Sequence, residues 1–354
     1  MKHNFGTGEP FTIGLEEELL LVDRDTLQLD HAADRVVPGI DLPHERAGHE
    51  AFLAEIEVRS EPRRSAAEAV GDIAEGRAAI VAAGGTPMAV GLHPDAGFGD
   101  VRLVDSDRYR RVEGEMRGLI KRTPECALHV HVAMPSPDVA VDALMGLREA
   151  LPLIGALGAA SPFWFGMDSG LASARSAVIR AYPGRGVPPP LRNWEDYLET
   201  LDGITLGGGP EDHTMVWWDA RLQPRLGTVE LRELDVQSGL EQTAGMAALV
   251  HALARRAAEQ PPTELAPAQA LHWSSFRAVR DGLDSELLFR GRLRPAREAA
   301  GELLDELRGS DDALDGVERI LREGGAPARQ RAVHAEAGMA GLLRSLADET
   351  ARGL

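Results

Sequence analysis

A chain of 354 residues, 44% of them hydrophobic, can bury a large core, and it shows no internal repeat that would make it a solenoid or propeller. Its formal charge of −18 disfavours a general nucleic-acid binder, because such a surface repels a phosphate backbone. One cysteine excludes an intrachain disulfide and a thiolate zinc cluster, and lysine stands only at Lys2 and Lys121, so no P-loop or Schiff-base lysine is readily at hand. The apolar run at 151–166 is short and broken by Pro152 and Pro162, whereas a membrane span needs about 20 such residues. With no leader pattern at the N-terminus, the expectation is a soluble cytoplasmic protein that avoids membranes.

In chain order, alternation and short apolar runs predict strands over 11–22, 53–60, 86–92, 127–134, 214–219 and 228–236. A helix after the first two begins at Ser65, with Glu68 completing a capping box, and ends at Gly84-Gly85. A helix over 138–160 carries Pro152, which kinks it. Ser238 and Glu241 predict a second capping box, opening a helix that Pro261-Pro262 stops, and the chain from Gly239 onward reads as almost wholly helical. The irregular gaps between strands point to an α+β fold: a curved, mainly antiparallel sheet with helices packed on its outer face. One catalytic domain over 1–354 is expected, with a core at 11–260 and a helical part at 261–354 packed on it.

The chemistry concentrates in the strands. In Gly14-Leu15-Glu16-Glu17-Glu18, residues two apart share a face roughly 6.7 Å apart, so Glu16 and Glu18 project together and Glu17 points away. Two adjacent carboxylates repel unless a cation or proton lies between them. A solvated acidic edge strand would satisfy that rule equally well. The pattern recurs, however, in Glu55-Ile56-Glu57-Val58-Arg59, in Leu128-His129-Val130-His131 and in Val229-Glu230-Leu231-Arg232. Taken singly, His131 reads also as a satisfied strand histidine and Asp235 as a turn residue. Four strands together describe a sheet with one apolar face and one face of carboxylate, imidazole and guanidinium. Such a donor set suits Mg²⁺ or Mn²⁺ bridging to nucleotide phosphates. Neither a nucleophile elbow nor a zinc-protease helix is complete: the serine of Gly166-Met167-Asp168-Ser169-Gly170 is one place late, and His49-Glu50 has Leu at position 53.

These motifs resemble the glutamate–cysteine ligase type 2 family, also called carboxylate–amine ligases. Gly14-Leu15-Glu16-Glu17-Glu18 is similar to its Gly-Val-Glu-Glu-Glu opening. Glu57-Val58-Arg59-Ser60-Glu61-Pro62, Gly91-Leu92-His93-Pro94, Leu128-His129-Val130-His131, Ser161-Pro162-Phe163-Trp164, Ser173-Ala174-Arg175, Trp217-Trp218-Asp219-Ala220-Arg221 and Gly227-Thr228-Val229-Glu230-Leu231-Arg232 follow in the family's order. The resemblance covers residues 11–260, with departures at Ala127, Ser169 and Leu222. It implies a glutamine-synthetase-like sheet that binds ATP and Mg²⁺, with Glu16, Glu18, Glu57, His129 and Glu230 as metal ligands or their close partners. Glu230 and Arg232 would be catalytic, Arg232 holding the transferring phosphate. Arg221 and Arg175 would bind phosphate or a substrate carboxylate, unless they are structural loop arginines. His93 and Trp217 would line the pocket.

The implied reaction joins an amino-acid carboxylate to an amine through an acyl phosphate, with glutamate and cysteine the first pair suggested and a homodimer plausible. Two other readings use the same residues: a metal-dependent phosphotransferase or hydrolase, and a catalytically silent nucleotide-binding relative.

Overall fold

The first strand, β1 (Ile13–Leu21), sets the architecture because its two faces have opposite chemistry. Ile13, Leu15, Glu17 and Leu19 are buried on one side, and Glu16 and Glu18 stand on the other. The computed structural model describes residues 1–210, 212–310 and 312–354, and within them β1 lies near the middle of a seven-stranded sheet. Its companions are β2 (Ala47–His49), β3 (Glu55–Arg59), β4 (Pro87–Met88), β5 (Leu128–Ala133), β8 (Ala220–Gln223) and β9 (Thr228–Leu231). The order is β2-β3-β1-β5-β9-β8, with β4 also on β1, and every pairing is antiparallel. A two-residue ladder, β6 (Phe163–Trp164) with β7 (Met167–Asp168), lies apart from the sheet.

The apolar face is covered by three helices. Ala66–Ala82 packs on β1 and β3, Leu240–Glu259 on β5, and Pro137–Gly158 on β8 and β9. The Ser65–Glu68 capping box is present, both hydrogen bonds made. Ser136 caps the helix that starts at Pro137, and that helix continues through Pro152 as a single element to Gly158. The expected α+β layout is therefore the observed one. Helices also stand on the opposite side: Asp107–Met116 brings Arg108, Tyr109, Val112 and Met116 toward the polar face of the sheet, and Ala174–Ile179 brings Arg175 and Ile179.

Several local expectations need correction. The run at 86–92 pairs as a strand only at Pro87–Met88. Beyond it, the Ala89 N–H donates to Thr350 Oγ1 and the Gly91 carbonyl accepts from Cys126 N–H, so the backbone leaves the β1 ladder. Residues 214–219 are not a strand, because the Asp212 side chain accepts from Thr214 N–H and starts a 3₁₀ turn at His213–Met215. Ser238 does not cap the following helix. Its hydroxyl donates to the Ala89 carbonyl, and Gly239 stands at the N-cap with no side-chain cap. The C-terminal part is mainly helical but contains a hairpin, β10 (Glu286–Phe289) and β11 (Arg292–Pro295), that no turn signature announced. Its turn residues Arg290 and Gly291 both adopt positive φ, a conformation ordinarily signalled by Asn-Gly. The β8–β9 turn is fixed by Gly227, at φ +72°, where an added Cβ would stand 2.5 Å from the Asn4 carbonyl oxygen.

Glu17, on the buried face of β1, needs a buried partner, since an isolated carboxylate there would cost far more than a strand can return. Arg77 of the Ala66–Ala82 helix supplies it. Arg77 Nε and Nη2 donate to the two Glu17 oxygens at 2.8 and 2.6 Å. The remaining donors reach the carbonyls of Gln237, Ser238 and Thr350. One fully buried guanidinium thus ties β1, an outer helix, the chain after β9 and the last helix, Gly325–Thr350. Removing one partner of such a pair is expected to cost about 3–5 kcal/mol. Arg77→Met should lower the urea midpoint accordingly, and a midpoint within error of wild type would remove this clamp from the account.

Candidate active site

Strand register stacks the polar side chains into rows on the face opposite the helices. Glu16 lies between Arg59 of β3 and His129 of β5, and Glu18 lies beside Glu57. His131 lies beside Glu230 of β9, which faces Arg221 of β8. Glu16, Glu18, Glu57, His129, Arg175, Arg221, Arg232 and Trp217 all line one cavity of about 490 Å³. Glu230, fully buried, forms its floor through contacts with Arg221, Arg232 and Gln223. The predicted residues therefore converge, apart from His93. That ring is buried away from the cavity, its Nε2 paired with the Leu27 carbonyl at 2.7 Å and its Nδ1 accepting from Asp95 N–H. Its Gly-Leu-His-Pro setting serves the loop packing.

The centre of the cavity is a three-residue cluster. One oxygen of Glu16, one nitrogen of His129 and one oxygen of Glu230 lie within 4.8 Å of one another. Glu16 Oε2 is 3.3 Å from His129 Nδ1 and 3.5 Å from His131 Nε2. Burial raises the Glu16 carboxyl, but His131 and His129 outweigh it and hold the group well below the usual carboxylate range. Burial likewise opposes charge on Glu230, and Arg221, Arg232 and His131 overcome it. Burial and the nearby Arg232 push His129 down to about 3, so its imidazole is neutral. Two anionic carboxylates and a neutral imidazole within reach of one point form a donor set that a hard divalent cation fits.

Around this centre the charges are unevenly matched. Glu18 accepts from Ala127 N–H at 2.6 Å, yet burial and the charge of Glu50 push it up to about 8 against the pull of Arg175 and Arg232. Glu50 and Glu55 are raised as well, chiefly by burial. Glu57 is paired with Arg59. The arginines are partly committed: Arg221 donates to both Glu230 oxygens and to the carbonyls of Thr214 and Val216, so it orients Glu230. Arg232 also bonds Glu230 but keeps a buried Nε without a partner, as does Arg175. Six glutamates and six arginines line this cavity, with Glu230 a seventh carboxylate in its floor.

Residues that sequence reasoning passed over share the cavity. Glu55 and Arg59 lay in a motif already noted, on the same face as Glu57. Glu50, Glu125, Tyr182 and Arg185 sit in connecting segments, and Arg108 and Tyr109 on the overlying helix, where no periodicity marks them.

Two solved structures share the fold of this sheet and its helices. A solved glutamate–cysteine ligase from Francisella tularensis, in complex with AMP, superposes with a TM-score of 0.71 at 14% identity, covering 96% of this chain and 89% of that one. A bifunctional glutathione synthetase from Pasteurella multocida gives 0.70 at 14% identity, covering 96% of this chain and 52% of that one. The model of glutamate–cysteine ligase family 2 matches residues 12–349, and the chain belongs to that family. A Rubrobacter xylanophilus protein provisionally named glutamate–cysteine ligase 2-3 is 36% identical over 99% of this chain and all of its own length. A Ruegeria pomeroyi protein provisionally named glutamate–cysteine ligase 2 is 34% identical over 92% of this chain and 90% of its own. The match extends well past residue 260, so the C-terminal helices belong to the family unit and the resemblance read from motifs alone stopped short. Among the described residues no helix is long and apolar enough to cross a membrane.

A ligand that binds only the folded state raises its melting temperature. Millimolar Mn²⁺ is therefore expected to raise the melting temperature of the wild-type chain and to leave Glu16→Gln unmoved in a thermal scan. Equal shifts in both would place the cation elsewhere.

Proposed function

We propose that the protein is an ATP- and Mg²⁺-dependent ligase that joins an amino-acid carboxylate to an amine. The observation that carries this reading is the convergence of Glu16, His129 and Glu230 on one point, with Arg232 beside them, in a chain of this family. Glu16, His129 and Glu230 would hold one divalent ion, and Glu18 and Glu57 would hold another along the same wall. Such ions neutralise phosphate oxygens when bound.

In the first step an oxygen of the substrate carboxylate attacks the γ-phosphorus of ATP, and the bond to the β-phosphate oxygen breaks, giving an acyl phosphate and ADP. The amine nitrogen then attacks the acyl carbon, phosphate departs and the surplus proton leaves the nitrogen. Both steps gather anions, so positioning and charge neutralisation carry the catalysis. Arg232 faces the cluster with an unpartnered Nε–H and would hold the transferring phosphate. Arg221 keeps Glu230 ionised and oriented, a positioning role, while Arg175 and Trp217 belong to substrate binding. No covalent enzyme nucleophile is required. Glutamate and cysteine are the first pair to try, because the family and the provisional names of its relatives carry them. The protein is read as working on small molecules in the cytoplasm, and a homodimer is its proposed assembly.

The ligase reading is tested by ADP release with Mg²⁺ over paired amino acids and amines. Release is expected only when acid and amine are both present; release indifferent to the amine would make the protein a hydrolase or phosphotransferase instead. Glu230→Gln is expected to lower kcat by roughly 10²–10³, the usual loss for a removed charge-stabilising group, and Arg232→Lys to lose a similar factor because a point charge cannot replace a planar fork. Wild-type turnover in either variant would take that residue out of the reacting centre.

A further inference from the structure

On the helical side of the sheet, away from the active-site cavity, the C-terminal helices enclose a cleft of about 320 Å³. Its base is the start of the helix Leu240–Glu259, which opens at Gly239 with no side-chain cap. The first bond there runs from Thr243 N–H to the Gly239 carbonyl, and the N–H groups of Leu240, Glu241 and Gln242 have no acceptor among the described residues. Gln242 lines the cleft and is 8% exposed. Its side-chain amide has no hydrogen-bond partner among the described residues, and neither amide atom is walled off by protein, so the amide opens into the cleft.

Three arginines face the same space: Arg319 from the helix Asp315–Glu323, Arg329 from the last helix, and Arg352 just past its end. The last helix breaks at Gly338, where φ is +66°, and both of its halves wall the cleft. Two carboxylates share the lining. Arg329 stands 3.8 Å from Glu323 and 3.7 Å from Glu349, and Arg319 stands 3.9 Å from Glu323, all longer than a hydrogen bond. Arg319 pairs closely with Glu241, which lies outside the lining, and Arg352 has no ion-pair partner among the described residues.

Unpaired N–H groups at a helix start carry the positive end of its dipole and point at whatever fills the space before them. Guanidinium donors not spent on hydrogen bonds add to that field, and the Gln242 amide supplies a further donor. The complement is a compact group with several anionic oxygens. We infer that this cleft binds a small oxyanion, a phosphate group, on the open start of the helix Leu240–Glu259, the Gln242 amide and Arg329, with Arg319 and Arg352 beside it. Glu323 and Glu349 oppose the anion and weaken the site without reversing its sign. The inference stands apart from the ligase reading. It touches the scaffold of the active site all the same, because the carbonyls of Gln237 and Ser238, both on the cleft wall, accept from Arg77, the partner of Glu17 on β1. An anion here joins both halves of the last helix to the helix that starts at Leu240, next to that clamp.

The test is a thermal scan with inorganic phosphate at constant ionic strength. Phosphate at roughly ten times its dissociation constant is expected to raise the melting temperature of the wild-type chain by about 2 °C. Gln242→Glu, which sets a carboxylate where the anion would lie, and Arg329→Gln should each lose most of that rise. No rise in the wild type overturns the proposal, and so does an equal rise in both variants, which phosphate held in the active-site cavity would give. Glycerol 3-phosphate run beside inorganic phosphate separates the sources: a larger rise with the ester supports the site as one for a phosphorylated metabolite, and an equal or smaller rise supports it as one for free phosphate. Should either variant fail to fold, anomalous diffraction from wild-type crystals soaked in selenate decides the matter. A selenium peak within hydrogen-bond range of the Gln242 amide and Arg329 supports the site, and no peak there overturns it.

Discussion

Carboxylates crowded around one cavity on the polar face of a sheet, with arginines set among them, are the constraint to which the rest of this molecule answers. Glu16, Glu18, Glu50, Glu55, Glu57, Glu125 and Glu230 are gathered around one cavity or its floor. Some are neutralised from within, Glu57 by Arg59 and Glu230 by Arg221 and Arg232. Others are not, and burial lifts Glu18 and Glu55 far from the ordinary carboxylate range. A face in that condition is poorly suited to bulk solvent exposure alone and well suited to cations that arrive with a phosphorylated substrate.

Holding such a face open requires rigidity behind it. The other side of β1 supplies this through Glu17 and Arg77, a pair removed from solvent whose geometry is bidentate and whose spare donors are all used. Because Arg77 also grips the chain at Gln237–Ser238 and at Thr350, the last helix is fastened directly behind the strand that carries Glu16 and Glu18. Gln330 adds a second tie, donating to the Ala160 carbonyl at 2.8 Å. The C-terminal segment thus has a physical reason to lie inside the family match, although it contributes nothing to the cavity.

What could be read in the sequence was what a period of two reveals. Glu16, Glu18, Glu57, His129 and Glu230 each sit in a strand and Arg232 one residue past its end, in runs whose alternate residues are mostly aliphatic, so their shared face was legible in the sequence. The helix opened by the Ser65–Glu68 capping box was equally plain. Hidden were the residues that topology alone delivers: Glu50 and Glu125 in connecting segments, Arg108 and Tyr109 on a helix that crosses the polar side. His93 misled because a motif marks a place in the chain without saying whether it serves packing or chemistry. The segment at 214–219 looked like a strand until the Asp212 cap claimed its first turn, and the Arg290-Gly291 hairpin lacked the usual turn residues. Local alternation is a short-range signal; caps, borrowed hydrogen bonds and crossings are decided by partners far away in sequence.

The proposed reaction turns on a divalent cation seated among Glu16, His129 and Glu230. Anomalous diffraction from crystals grown with Mn²⁺ and a non-hydrolysable ATP analogue tests it most directly. The expected result is a manganese peak in coordination range of all three side chains and of the nucleotide phosphates. Nucleotide bound in the cavity with no anomalous density at that cluster would contradict it.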